Sequence, residues 1–257
     1  MRFQVLASGS KGNSTFFEAG DARVVVDHGI STRQLCLRLG EIGVEPESID
    51  AIIVTHEHTD HVGGIRVWRK RFATPVIVNR PTAECIPGLK PVHGPIHFYK
   101  TGDTIDLGGV RVNTFPVSHD AADPVGLVFE WKGRRVGMVT DFGQATELVR
   151  RRLADSDALI LEFNHDTDML INGPYPWPLK DRIRRKHGHM SNDQASNLLR
   201  DIAHPGLKAL VLAHLSHENN RPSLAMKCAT AVLNGKCAKT KIQVGEQNCI
   251  AEPVILD

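Results

Sequence analysis

The chain has 257 residues, 41% of them apolar and 23% charged, which is ordinary for a soluble globular protein and long enough for a substantial core. Its 31 basic and 29 acidic side chains leave a formal charge of +2, arguing against bulk attraction to nucleic acid while allowing a local basic groove. Five cysteines (Cys36, Cys85, Cys228, Cys237 and Cys249) form no C-x-x-C pair, so reduced thiols and a cytoplasmic setting are expected.

Residues 3–7 read as a first strand with no charged and apolar leader before it, so no signal peptide is expected. No run reaches the ~18 apolar residues of a membrane span. Small residues from Ser8 to Ser14 form a tight turn that could offer backbone N–H groups to an anion. Residues 16–19 and 23–26 follow as strands, the second ending at Asp27. Ser31 and Gln34 have the spacing of a capping box for a helix through Leu39. A buried β-branched strand, Ile52-Ile53-Val54, runs into His56-Glu57-His58-Thr59-Asp60-His61, then Gly63-Gly64. A helix over 62–72 and a strand at 76–78 come next, then a loop-rich passage from 81 to 94 with room for a short helix.

Residues 104–107 and 110–115 read as a hairpin, the latter strand running into Ser118-His119-Asp120. Residues 126–131 and 135–139 flank Lys132-Gly133-Arg134 as a second hairpin that delivers Asp141. A helix at 146–153, a buried strand at 158–161 ending near Glu162 and His165, and a proline-rich loop at 173–178 follow. The segment from Lys180 to His187 is strongly basic. Ser191 and Gln194 open another capped helix, residues 207–212 form a strand delivering His214, and Pro222 suits the first turn of a last helix. Residues 242–244 close the sheet. This alternation of hairpins and strand-to-helix units predicts an α+β four-layer αββα sandwich, two mixed sheets face to face with helices outside, as one domain over residues 1–257.

Thirteen histidines stand out in this pattern. A strand-to-helix turn can fold His56 and His58 one way and Asp60 and His61 another, and strands ending at His119, Asp141 and His214 supply what those sets lack. The economical result is a pair of divalent ions about 3.5–4 Å apart. One takes His56, His58 and His119, the other Asp60, His61 and His214, with the Asp141 carboxylate able to touch both. Nitrogen and oxygen ligands without thiolate suit Zn2+ or Mn2+. His214 lies closer to its strand end than His217, which competes for the same position. Asp27 could orient a ligand histidine from behind. His189, between Gly188 and a helix start, could reach a substrate phosphate. Ser8, Asn13, His165, His217, Arg182, Arg184 and Arg185 are further candidates for phosphate contact.

His56-x-His58-x-Asp60-His61, with His119, Asp141 and His214, resembles the metallo-β-lactamase superfamily, and the resemblance covers essentially the whole chain. More narrowly, Leu6-Ala7-Ser8-Gly9-Ser10-x-Gly12-Asn13-Ser14, Glu162-x-Asn164-His165-Asp166, Gly173-Pro174-Tyr175-Pro176, Gly188-His189-Met190-Ser191-Asn192 and His214-Leu215-Ser216-x-x-Asn219-Asn220 are similar to bacterial proteins of the YycJ/WalJ type. That resemblance implies a metal-dependent 5′-to-3′ exonuclease on DNA, with DNA favoured over RNA as partner. It places His189 where related tRNA-processing nucleases keep a phosphate-contacting histidine. Asp141 stands where true β-lactamases bridge with cysteine, which favours phosphoester over lactam substrates. The chain lacks the large inserted domain of some RNA-processing relatives, so the basic run at 182–186 is the candidate grip. The expected activity is two-metal hydrolysis of nucleic acid with Asp60 and His189 in the chemistry. The alternative is a small-molecule hydrolase (cyclic phosphodiesterase or thioester/lactone hydrolase) on the same dinuclear site, and a non-enzymatic binding protein is disfavoured because no ligand is missing.

Overall fold

Strands that are apolar on both faces set the architecture in this computed structural model, which describes residues 1–90, 94–235 and 237–257. Part of the loop-rich passage expected before Gly94 therefore lies outside the described residues. The first sheet contains β1 (Arg2–Ala7), β2 (Ser14–Ala19), β3 (Ala22–Val26), β4 (Ala51–Ile53), β5 (Val76–Asn79) and β6 (Ile96–Tyr99), with β14 (Val254–Ile255) beside β1. The second contains β7 (Thr104–Leu107), β8 (Val110–Pro116), β9 (Val125–Trp131), β10 (Arg134–Val139), β11 (Ala158–Glu162), β12 (Ala209–Ala213) and β13 (Lys241–Val244). Both sheets are mixed. Antiparallel pairing joins β14, β1, β2 and β3, whereas β3 to β6 run parallel. In the second, β7 to β10 are antiparallel and β10 to β13 parallel.

Period-two alternation divides each strand between two cores. Val24, Val26 and Ile53 face Leu127, Phe129, Ile160 and Val211 across the interior of the sandwich. Their neighbours Val25, Ile52 and Val54 point outward onto Leu35, Leu39 and Trp68. These last three belong to α1 (Thr32–Glu41) and α3 (Ile65–Arg71). On the other side Val128, Leu159 and Leu210 meet α5 (Glu147–Leu153), α8 (Asn192–Ile202) and α9 (Pro222–Leu233) through Val149, Leu198 and Ala225. The result is the four-layer αββα sandwich with helices outside.

Departures from the sequence expectation are local. The helix expected over 62–72 is two pieces, α2 (Thr59–Val62) and α3, parted at Gly63-Gly64, so Asp60 and His61 already lie on helix. A short helix, α4 (Arg80–Cys85), fills part of the loop-rich passage, capped by Asn79. Two strands, β6 and β14, and a helix, α6 (Thr167–Asn172) capped by Asp166, were not expected. The proline-rich loop ends earlier, because Pro178 suits the first turn of α7 (Trp177–Arg184). Ser191 and Gln194 close their capping box in both directions, while Ser31 accepts from the Gln34 N–H. All five cysteines are free thiols, and among the described residues no helix is long and apolar enough to cross a membrane.

Candidate metal centre

Strands running in one direction end at one edge of the sandwich, and there the ligand-type residues gather. Loops leaving β3, β4, β8, β10 and β12 carry Asp27, His56, His119, Asp141 and His214, and β11 itself ends at Glu162. Three of these bend the chain into the left-handed region just past a strand: Asp27 (φ 59°), Asp141 (φ 57°) and His214 (φ 55°). Non-glycine residues adopt that conformation at a cost of about 1–3 kcal/mol, which surrounding contacts must hold in place.

Two donor sets lie side by side. His56, His58 and His119 bring their ligand atoms within 4.8 Å of one another, as do Asp60, His61, Asp141 and His214. Asp141 stands between them, with one oxygen 3.1 Å from His61 Nε2 and the other 3.9 Å from His119 Nε2. In each imidazole one nitrogen is tied to a group outside the donor sets. His61 Nδ1–H donates to Asp27 (2.7 Å), which also accepts from Thr55, and Thr55 Oγ1 accepts from His56 Nδ1–H (3.0 Å). His119 Nδ1–H donates to the Gly188 carbonyl (3.2 Å), and His58 Nε2–H to that of Asp120 (3.2 Å). Such anchoring fixes tautomer and ring orientation at metal sites.

The fit to metal is visible in what is left over. His56 Nε2 is buried with no hydrogen-bond partner, and Asp141 Oδ2, also buried, has His61 Nε2 as its near neighbour at 3.1 Å without hydrogen-bond geometry. Buried polar atoms of this kind are costly unless something binds them. Electrostatics agree. Burial pushes His56 well below the usual histidine range. Burial also opposes charge on His61 and His214, yet carboxylates prevail: Asp141 and Asp27 hold His61 well above its usual value, and Asp141, Asp60 and Glu162 raise His214 to about 10. The second set therefore demands positive charge, which protons supply in the metal-free chain and which cations supply when bound.

Glu162, the last residue of β11, has no counterpart among the site residues expected from sequence. It is fully buried and accepts from the N–H groups of Phe142 (3.2 Å) and Met190 (3.1 Å), from His189 Nδ1 (2.8 Å) and from His214 Nδ1 (3.0 Å). Burial raises its pKa, but those histidines outweigh it and hold the carboxyl near 2. One carboxylate thus positions both a candidate ligand and His189, whose own pKa burial lowers and Glu162 raises, with a net rise. The available signal was an acid closing a buried apolar strand.

A cleft of about 250 Å³ opens over the centre, lined by His58, Asp60, Asp141, His189, His214 and Arg182 among others. Arg182 is held there by Asp120 at 2.6 Å. None of the other expected phosphate contacts lines this cleft. Arg184 is exposed, and Arg185 pairs with Asp181 one turn back. His217 is 83% exposed and paired with Glu218, which leaves the inner position to His214. His165 is buried beside Ser191. Ser8 accepts from the His214 N–H (2.7 Å) and so steadies that residue's backbone, whereas Asn13 Nδ2 approaches donor atoms themselves, Asp60 Oδ2 (3.3 Å) and His61 Nε2 (3.1 Å).

Residues 22–215 match the family described as the beta-lactamase superfamily domain, and the chain belongs to that superfamily. It is 34% identical over 239 residues to the exodeoxyribonuclease YycJ of Bacillus anthracis, covering 92% of this chain and 90% of that one. It is also 34% identical to the exodeoxyribonuclease WalJ of Streptococcus pneumoniae over 230 residues, 87% of this chain and 85% of the relative. Among solved structures, the metallo-beta-lactamase fold protein YhfI from Bacillus subtilis superposes with a TM-score of 0.74 over 98% of this chain and 99% of its own, at 18% identity.

Proposed function

We propose that this chain is a two-metal phosphodiesterase that degrades nucleic acid, acting on DNA as a 5′-to-3′ exonuclease in the cytoplasm. The observation that carries the reading is the pair of donor sets joined at Asp141, with His189 held by Glu162 at the mouth of the same cleft. The names of the relatives that match most of the chain support DNA as the substrate. His56, His58 and His119 would hold one ion, and Asp60, His61 and His214 the other, with Asp141 between; Zn2+ and Mn2+ both suit these donors. Bound ions supply positive charge that polarises a phosphoryl group and makes water nucleophilic at neutral pH.

The chain's own residues do the rest. Asp27, Thr55 and Glu162 fix the imidazoles so that the donors need no reorganisation. Arg182, steadied by Asp120, presents a guanidinium to a phosphate at the cleft rim. His189, kept charge-prone by Glu162 and lining the cleft, would give a proton to the departing 3′-oxygen. A small-molecule hydrolase predicts a closed pocket, whereas this cleft shares Ser10, Tyr175 and Ser216 with a wider groove. The test is incubation with 5′- and 3′-labelled single- and double-stranded DNA and RNA under Mn2+ and under Zn2+. Early release of the 5′ label from DNA is expected; polymers left intact while two metals are bound contradict the reading.

A further inference from the structure

The groove beside the metal cleft has no role in the chemistry so far. It encloses about 940 Å³ between the turn at 8–11, residues 215–223 and residues 244–248. Gln247 locks two of these walls together, accepting from the Lys11 N–H (2.9 Å) and donating to the Gly12 carbonyl (2.8 Å). Cleft and groove are continuous, since Ser10, Tyr175 and Ser216 line both. Among the described residues Tyr175 is the one Phe, Tyr or Trp side chain lining either, and it stands at their junction, half-buried between Pro174 and Pro176, whose rings restrict the backbone. Lys11 and Arg221 bring positive charge to the groove, and Glu218, paired with His217, and Glu246 bring negative charge.

Resting on the nuclease reading, we infer that this groove holds the single-stranded segment adjoining the scissile phosphate, with Tyr175 stacking a base at the junction. A phosphate seated over the metals puts its neighbouring nucleotides a few ångströms away, and the groove is the adjoining space that continues from that point. Stacking on an aromatic ring is tolerant of sequence, as degradation of arbitrary polymers requires. Lys11 and Arg221 then meet backbone phosphates beyond the stacked base. The occupant is a single strand because a ring placed between cleft and groove takes the face of an unpaired base.

The experiment compares the metal-loaded wild type with Tyr175→Ala, Tyr175→Phe and Lys11→Ala on methyl p-nitrophenyl phosphate, which carries no base, and on a longer single-stranded oligonucleotide. Metal content and thermal melting serve as controls for folding. The wild type is expected to prefer the longer substrate. Tyr175→Ala should lose that preference, with kcat/KM on the oligonucleotide falling about tenfold, mainly through KM, and Tyr175→Phe should restore it. Lys11→Ala should lower the salt dependence of oligonucleotide binding by about one unit of slope. Equal losses on both substrates, or an unchanged preference for length in Tyr175→Ala, would overturn the groove assignment while leaving the nuclease standing. Failure of the wild type itself to cut either substrate would overturn both.

Discussion

At the scale of single residues, the centre rests on buried side chains outside the two donor sets. Asp27 and Glu162 are fully buried carboxylates, each collecting the far nitrogen of a candidate ligand. Replacing such a partner at a metal site costs about 10–100-fold in affinity or activity. Glu162→Gln is therefore expected to lower kcat by that range while the protein stays folded; comparing kcat, metal content and melting temperature against wild type checks it. Of these two, Asp27 was legible as a strand-ending acid beside a ligand strand. Glu162 was not, because an acid closing a strand is ordinary, and its partner His189 lies 27 residues away in sequence. Sequence drew attention instead to His165, which folding buries.

At the scale of elements, backbone packing between loops sets the ligand turn. The loops after β1, β3 and β4 interlock: Asn13 N–H donates to the Asp60 carbonyl (2.7 Å), and Gly29 N–H to that of Asn13 (2.9 Å). A Cβ on Gly29 would sit 1.6 Å from the Asp60 carbonyl oxygen. Gly29→Ala should therefore displace Asp60 and cost about 1–3 kcal/mol or more, read by urea unfolding together with metal content. Gly64 has a parallel reason, since its Cβ would meet the His28 ring at 2.3 Å. That ring is buried against Trp68, and Thr32 Oγ1 accepts from its Nε2 (3.3 Å). Burial drives the His28 pKa down to about 3. An unfolded histidine titrates near 6.5, so between those values the unfolded chain binds the extra proton. The contribution of His28 is complete above about 6.5 and is lost as pH falls toward about 3. Unfolding in chelator at about pH 7 and about pH 5 should show the difference in stability between wild type and His28→Gln shifting in favour of the variant at the lower pH; a constant difference would contradict it.

At the scale of the whole molecule, the sandwich was legible because its strands are apolar on both faces and end at ligand residues. Ile52-Ile53-Val54 running into His56 announces both a layer and a site. What escaped notice lacked that signature: β6 is partly exposed at a sheet edge, and β14 is two residues long. The donor sets could be grouped from sequence since four ligand-type side chains are compressed into six positions at one strand end, leaving few ways to divide them. The groove could not, because it is assembled from segments more than two hundred residues apart. A two-metal centre that cuts DNA requires both donor sets with Asp141 between them. Elemental analysis and DNA degradation, measured on the same preparations of wild type and Asp141→Ala, put that requirement to the test. The wild type is expected to hold two ions and degrade DNA, and the variant to lose metal and degradation together. A variant that keeps DNA degradation, or a wild type that holds two ions and leaves DNA intact, would contradict it.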